Sequence, residues 1–341
     1  MSKFFVIGDV SVDQMYFVGN LPELGGEVSA SQARMEPGGA GGTIAAVLAR
    51  LSNDVLLAAR VGEGPFSDLA LKYVKQAGVK TRLIQLDRTL QTSSVTLLVT
   101  PDTQRTMISA GGASRDLDAS KFNPAEVASC DALIVSAYSL IGGPQRDYAV
   151  QALEAAKRAR LTTFIDMGSG AVNALKNRLI PAVQGVDYLI MNQQELYTLT
   201  DESSISEAVA ELAEHGVERV LVKLGEMGSM VITPELTELI EALEIDEVVE
   251  STGAGDYYTA AFAHGIMAGY DIYYAAKLGN IAGALNVTSV GAQSCAFDAQ
   301  TLEDHAQALG LEVNTNVTSS GATDKVTDKV ADPRVTKRAV H

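Results

Sequence analysis

The chain has 341 residues, 47% hydrophobic and 20% charged, enough to bury the core of one large α/β domain. Its 42 Asp and Glu outnumber its 26 Lys and Arg, and a formal net charge of −16 with no offsetting basic stripe argues against a nucleic-acid partner. Two cysteines, Cys130 and Cys295, and scattered histidines exclude a disulfide framework and a zinc spacing, and no apolar run approaches the ~18 residues of a membrane span. A cytoplasmic protein without a membrane partner is expected.

Short apolar runs alternate with helical patterns. Phe4–Ile7, Val55–Ala59, Ala132–Val135, Thr162–Ile165, Tyr188–Ile190 and Val220–Val222 predict strands of a sheet buried on both faces. Helices are predicted over Thr43–Leu51, Asp68–Gln76, Gln145–Arg160 and Ile205–His215. Such alternation implies right-handed βαβ units, hence an α/β fold with a doubly wound, mostly parallel sheet. Two stretches break the rhythm: Asp13–Val18 with Glu27–Met35, and Thr92–Thr100 with Gln104–Ala110, predict strand pairs of a small second sheet. These segments, about 13–37 and 92–111, are read as a lid over one unit spanning 1–310. Residues 311–341 lack periodicity and are expected to be a disordered tail.

One segment carries the strongest chemical signal. After an acidic, β-prone run ending Val248-Val249 comes Thr252-Gly253-Ala254-Gly255-Asp256, followed by a helix-like run of small residues from Ala260. A glycine turn opening a helix leaves N–H groups unpaired in front of the positive end of the helix dipole. An anion hole with a carboxylate at its lip suits phosphoryl transfer, the amides holding phosphate while Asp256 takes a proton from a hydroxyl. The same residues also read as a plain turn with Asp256 as the helix N-cap. A second cluster, Pro37-Gly38-Gly39-Ala40-Gly41-Gly42-Thr43, opens another helix, and Asp13 follows the first strand, where open α/β sheets place ligands. Asp13 could grip vicinal hydroxyls. No Walker A loop, dinucleotide fingerprint or nucleophile elbow is present.

Taken in order, Gly8…Asp13, Gly38-Gly39-x-x-x-Thr43, Val61-Gly62, Asn192-x-x-Glu195, Lys223-Leu-Gly225-x-x-Gly228, Thr252-Gly-Ala-Gly-Asp256 and Gly291-Ala292 resemble the ribokinase-like (PfkB) carbohydrate kinases over about residues 3–310. The resemblance implies an ATP-dependent kinase acting on a hydroxyl of a small sugar or sugar derivative. Asp256 would be the catalytic base, with Gly253, Ala254 and Gly255 holding the transferring charge. Asp13, Gly38, Gly39, Gly42 and Thr43 would bind the sugar. Asn192, Lys223, Gly225, Gly228, Thr252 and Asn280 would border the nucleotide, Asn192 and Glu195 would place Mg²⁺ through waters, and Glu250 is a candidate monovalent-cation (K⁺) ligand. Thr43 stands where the family usually has Asn, Glu250 where it often has Asp, and Tyr257-Tyr258 are bulkier than the residues usually following the base. Two rival functions share the fold: a nucleoside kinase, its base seated among Met15, Tyr16, Phe17, Met35 and Met107, and a non-catalytic sugar or nucleotide sensor. Edges of the lid sheet, which proteins usually cover, predict a homodimer pairing lid to lid.

Overall fold

The computed structural model describes residues 1–101 and 105–309. The expected tail lies outside the described residues, as does Gln104, from which the last lid strand was predicted to start. Among the described residues, thirteen strands form two sheets: β1 (Lys3–Ile7), β2 (Ser11–Val18), β3 (Ala30–Gly38), β4 (Asp54–Gly62), β5 (Lys80–Asp87), β6 (Ser93–Val99), β7 (Arg105–Ala110), β8 (Ala132–Ser136), β9 (Thr162–Asp166), β10 (Tyr188–Asn192), β11 (Val220–Lys223), β12 (Ser229–Ile232) and β13 (Thr237–Ile240). The large sheet runs β13-β12-β11-β10-β9-β8-β1-β4-β5, and the small one β3-β2-β6-β7.

From β11 to β5 every neighbouring pair is parallel, with β12 and β13 added as an antiparallel edge. The predicted strands are buried because both faces are covered. Phe4, Val6, Ile134, Phe164 and Ile190 face the helices Ala40–Arg50, Ala254–Met267 and Ile272–Asn286, whereas Phe5, Ile7, Leu133, Ile165 and Leu189 face Gly143–Ala159, Gln193–Thr200 and Ile205–Glu214. Alternate residues therefore enter opposite cores, which is why these strands read as continuous apolar runs.

The lid is a separate sheet with β2 and β6 paired in parallel at its centre and β3 and β7 antiparallel at its edges. Both expected strand pairs are present, the first starting earlier, at Ser11, with its partner starting later, at Ala30. Asp13, expected as the first residue of its strand, accordingly lies as the third of β2. The helix predicted over Asp68–Gln76 is two short ones, Pro65–Ala70 and Lys72–Gln76, broken at Leu71. The acidic run before Val248-Val249 is irregular, and the strand lies upstream at Thr237–Ile240. Val248 and Val249 are exposed, so strand formation there would gain no burial to oppose the crowded carboxylates beside them. The helix expected from Ala260 begins at Ala254. No helix among the described residues is long and apolar enough to cross a membrane.

One contact sets the geometry of the ligand end. The helix Ala40–Arg50 comes so close to the end of β1 that a Cβ at Gly41 would stand 2.5 Å from Gly8 Cα. Only two facing glycines allow this approach. Gly41→Ala should therefore cost on the order of 1–3 kcal/mol or more, read as a lower urea midpoint at unchanged m-value; an unchanged midpoint would show that the helix can slide without penalty.

Candidate active site

The carboxyl ends of β1, β8, β9, β10 and β11 and the N-termini of two helices open on the same end of the sheet. At β1, the Gly42 N–H donates to Asp9 O at 3.0 Å, fixing the turn into Ala40–Arg50. Gly38, at the end of β3, lies against Asp13, and a Cβ there would land on the carboxylate. Asp13 is 5% exposed, and Ser11 Oγ donates to its Oδ1 at 3.2 Å. Burial, relieved by the Ser11 bond and reinforced by the charges of Asp9, Glu250 and Glu36, pushes its pKa up to about 7. Gly39 is the N-cap of the helix and Gly42 lines its first turn beside Gln293. Thr43 is fully buried and its hydroxyl donates back to Gly39 O at 3.0 Å, so it bonds to its own helix. Gln293 Nε2 closes the cradle by donating to Gly38 O at 3.1 Å.

The second helix N-terminus holds the candidate base. Gly253 is the N-cap with φ 85°, and a Cβ there would meet Ala292 O at 2.7 Å, so the Thr-Gly-Ala-Gly sequence is needed both for the turn and for the close approach of the loop. Asp256 sits within the first helical turn and is not the N-cap, which disposes of the plain-cap alternative. The Gly255 and Asp256 N–H groups, too early for intrahelical bonds, have no acceptor among the described residues. Burial first, then the charges of Asp166, Asp9 and Asp13, raise the Asp256 pKa well above the usual carboxylate range, with Lys223 opposing.

Lys223, last in β11, lies beside this helix: its Nζ would be 3.1 Å from a Cβ at Gly255. It is ion-paired to Asp166 Oδ1 at 2.9 Å, and Thr259 Oγ1 donates to the same oxygen at 2.6 Å. Burial pulls the Lys223 pKa down, but Asp166 and Glu195 outweigh it and the net shift is upward, so the ammonium stays charged. Asn192 and Glu195 form a capping box: Glu195 N–H donates to Asn192 Oδ1 at 2.8 Å and Asn192 N–H to Glu195 Oε2 at 2.9 Å. Ser169 Oγ donates to Glu195 Oε1 at 2.8 Å, and burial raises this carboxyl's pKa. Gly225 and Gly228 make the turn between β11 and β12. Asn280 is spent on the wall beside it, donating to Ile240 O at 2.7 Å and Glu241 O at 3.2 Å.

Glu250 and Thr252 tie three segments together. Thr252 N–H donates to Glu250 Oε1 at 3.0 Å and Gly291 N–H to Oε2 at 2.7 Å. From lid strand β7, Arg105 donates to Thr252 Oγ1 at 2.6 Å and lies 3.6 Å from Glu250 Oε1. Tyr257 and Tyr258 point away from one another. The Tyr257 hydroxyl donates to Cys295 O at 2.5 Å and accepts from Arg50, which also binds Gln293 O; Tyr258 bonds Ser229 Oγ of β12 at 3.0 Å. Both rings are buried and pack in the core.

Sequence reading missed Asp9, Arg105, Asp166 and Gln293. Asp9 and Asp166 were findable, since both stand where parallel strands end, the rule that selected Asp13. Arg105 and Gln293 carry no local signal and owe their place to the lid and loop meeting the glycine turns.

The model of the pfkB family carbohydrate kinases matches residues 1–299, and the chain belongs to that family. It is a phosphotransferase with a hydroxyl acceptor. It is 30% identical over 276 residues to a ribokinase of Arabidopsis thaliana, covering 77% of this chain and 70% of the relative. A 5-dehydro-2-deoxygluconokinase of Clostridium beijerinckii is 25% identical over 280 residues, covering 78% and 81%. The solved Arabidopsis thaliana ribokinase, complexed with ribose and ATP, superposes with a TM-score of 0.76 at 25% identity over 89% of this chain and 98% of that one.

The electrostatics of Asp13 give a test of stability. Its folded pKa is raised, so the native state binds the extra proton and loses stability as pH rises from about 4 through about 7. Asp13→Asn should thus stabilise the fold more at pH 8 than at pH 5, by a margin on the order of a few kcal/mol. Thermal scans at the two pH values read the difference, and equal shifts would contradict the burial of the charge.

Proposed function

We propose that this chain transfers the γ-phosphoryl group of ATP to a hydroxyl of a small sugar or sugar derivative, with Asp256 as the base. The observation that carries the reading is the Asp256 carboxylate on the first turn of a helix whose Gly255 and Asp256 amides are unpaired. Asp256 takes the hydroxyl proton as the oxygen attacks phosphorus in line, and the free amides of the Gly253–Asp256 turn, those of Gly255 and Asp256 foremost, meet the charge that develops on the phosphoryl oxygens. The Asp256 pKa, raised by burial, brings the base closer to the working pH, where proton transfer is most efficient. Asp13, Gly38, Gly39 and Gly42 hold the acceptor in position. Thr43 contributes by bracing the turn.

Lys223, clamped by Asp166, borders the nucleotide phosphates together with Thr252, Asn192, Gly225 and Gly228, and Asn280 shapes the far wall. The donor set fits hydrated Mg²⁺: Glu195 and Asn192 offer hard oxygens already held in place, while no cluster of three or more His, Cys, Asp or Glu ligands exists among the described residues for a directly caged ion. Bound there, Mg²⁺ would neutralise phosphate charge. Potassium at Glu250 would have to share a carboxylate that already accepts from Thr252 and Gly291 and lies beside Arg105. The reaction as written needs none.

Asp256→Asn should lower kcat by about 10²–10⁴-fold in an ADP-release assay while leaving ATP binding within a few fold. Turnover near the parent value would remove Asp256 from the mechanism.

The lid supports a homodimer. Met35, Met107 and Ile108 are 49%, 59% and 63% exposed, and they lie on β3 and β7, whose outer edges have no strand partner among the described residues. A second lid covering these edges would bury them. Sedimentation should give a dimer at micromolar concentration that Ile108→Lys converts to monomer; a monomeric parent would reject the pairing.

A further inference from the structure

Arg50 ends the helix whose first turn forms the glycine cradle, and it takes no part in the reaction as written. Its guanidinium donates to three oxygens: the Tyr257 hydroxyl at 3.0 Å, Cys295 O at 2.7 Å and Gln293 O at 2.9 Å. The Tyr73 ring covers it, with Cζ 5.9 Å from the ring centroid. No carboxylate pairs with it among the described residues. The direction of the phenol contact is fixed. The single Tyr257 proton goes to Cys295 O, so the hydroxyl oxygen is left to accept from Arg50. Burial pushes the Tyr257 pKa up, and the phenol keeps that proton.

The carbonyls that Arg50 holds belong to a loop touching both glycine turns. Gln293, itself buried, donates from Nε2 to Gly38 O, and Gly38 rests against the Asp13 carboxylate. The same Nε2 would stand 3.1 Å from a Cβ at Gly42. One residue earlier, Ala292 O would stand 2.7 Å from a Cβ at Gly253, the N-cap of the helix bearing Asp256. The loop is thus wedged between the two turns. Arg50 grips it at residues 293 and 295 and also grips the residue after Asp256. Any cation in the last turn would complement the dipole of Ala40–Arg50. Only a planar fork reaches two carbonyls two residues apart together with a phenol.

We propose that Arg50 is a positioning residue that sets the separation of the Gly38–Gly42 turn, where the hydroxyl compound is held, and the Gly253–Asp256 turn, where the base stands. The inference rests on the kinase reading and goes beyond it by naming what keeps the two turns in register. In-line transfer needs the attacking oxygen, Asp256 and phosphorus aligned, and a misplacement of about 1 Å can cost about a hundredfold in rate. A loop released from Arg50 shifts Gln293 and Ala292 together, and with them both turns. The nucleotide wall lies outside this clamp: a Cβ at Gly228 would meet Ile240 O and Ala242 N, not the loop.

The test uses the full chain with ATP, Mg²⁺ and its best hydroxyl acceptor. Arg50→Lys keeps the charge at the helix C-terminus and removes the fork. It should lower kcat/KM for the acceptor by about 10–100-fold, through both kcat and KM, while calorimetric ATP affinity stays within about twofold and the urea midpoint moves little. Hydrogen exchange should quicken at Gly39–Thr43 and Gly253–Tyr257 together and stay unchanged at Gly225–Gly228. If Arg50→Lys fails to fold, Tyr257→Phe removes one of the three contacts while keeping the ring, and the same pattern is expected at smaller amplitude. An unchanged kcat/KM in the folded variant, as a charge serving only the helix dipole would give, overturns the proposal, and so does an equal loss of ATP affinity. Absence of ADP release from the parent with every acceptor overturns the kinase reading instead. Hydrogen exchange then decides the clamp, turns that fail to loosen together counting against it.

Discussion

The site depends on two backbones lying almost in contact. Because neither Gly8 nor Gly41 has a Cβ, the helix Ala40–Arg50 can rest its first turn on the end of β1. Its amides then reach Asp9, the preceding strand β3 brings Gly38 against Asp13, and Gln293 can cross to Gly38 O. The same helix packs on Ala254–Met267, so a displacement at the first glycine pair would carry the second helix N-terminus with it. A parallel sheet supplies the platform, but this approach decides where the acceptor carboxylates stand relative to Asp256.

The site concentrates negative charge and compensates it unevenly. On the nucleotide side, Asp166 has Lys223 and Thr259, and Glu195 has Ser169 and its own capping box. Around the Gly38–Gly42 turn, Asp13 has one hydroxyl, and Asp9 accepts from backbone amides while its Oδ1 meets no donor. Burying charge without a partner opposes folding, so such an arrangement persists only where the surrounding core over-determines it. Two packed cores on either face of the sheet supply that surplus.

Legibility from sequence followed from locality. The parallel strands were readable because both faces bury apolar residues, and the Gly253–Asp256 turn because its chemistry is written in consecutive residues. What escaped was distant or ambiguous. Strands β5 and β13, at the edges of the large sheet, carry polar residues and lack a clear period, and β12 is only four residues long. The hydroxyl of Thr43 could equally have faced a ligand; only its helical backbone, which offers Gly39 O one turn earlier, fixes it inward. Arg105 reaches Glu250, 145 positions further along the chain, and no spacing rule spans that.

The three consecutive residues Asp256, Tyr257 and Tyr258 have one more consequence. One phenol holds Cys295 O in the loop that carries Gln293 and Gly291, and the other holds Ser229 at the start of β12, just past the Gly225–Gly228 turn. The carboxylate is therefore mounted like the pivot of a pair of callipers, each arm gripping one flanking segment. Any breathing of either wall is geared directly to the pivot, so the gap between donor and acceptor is gauged from both sides by the very segment that must work within it.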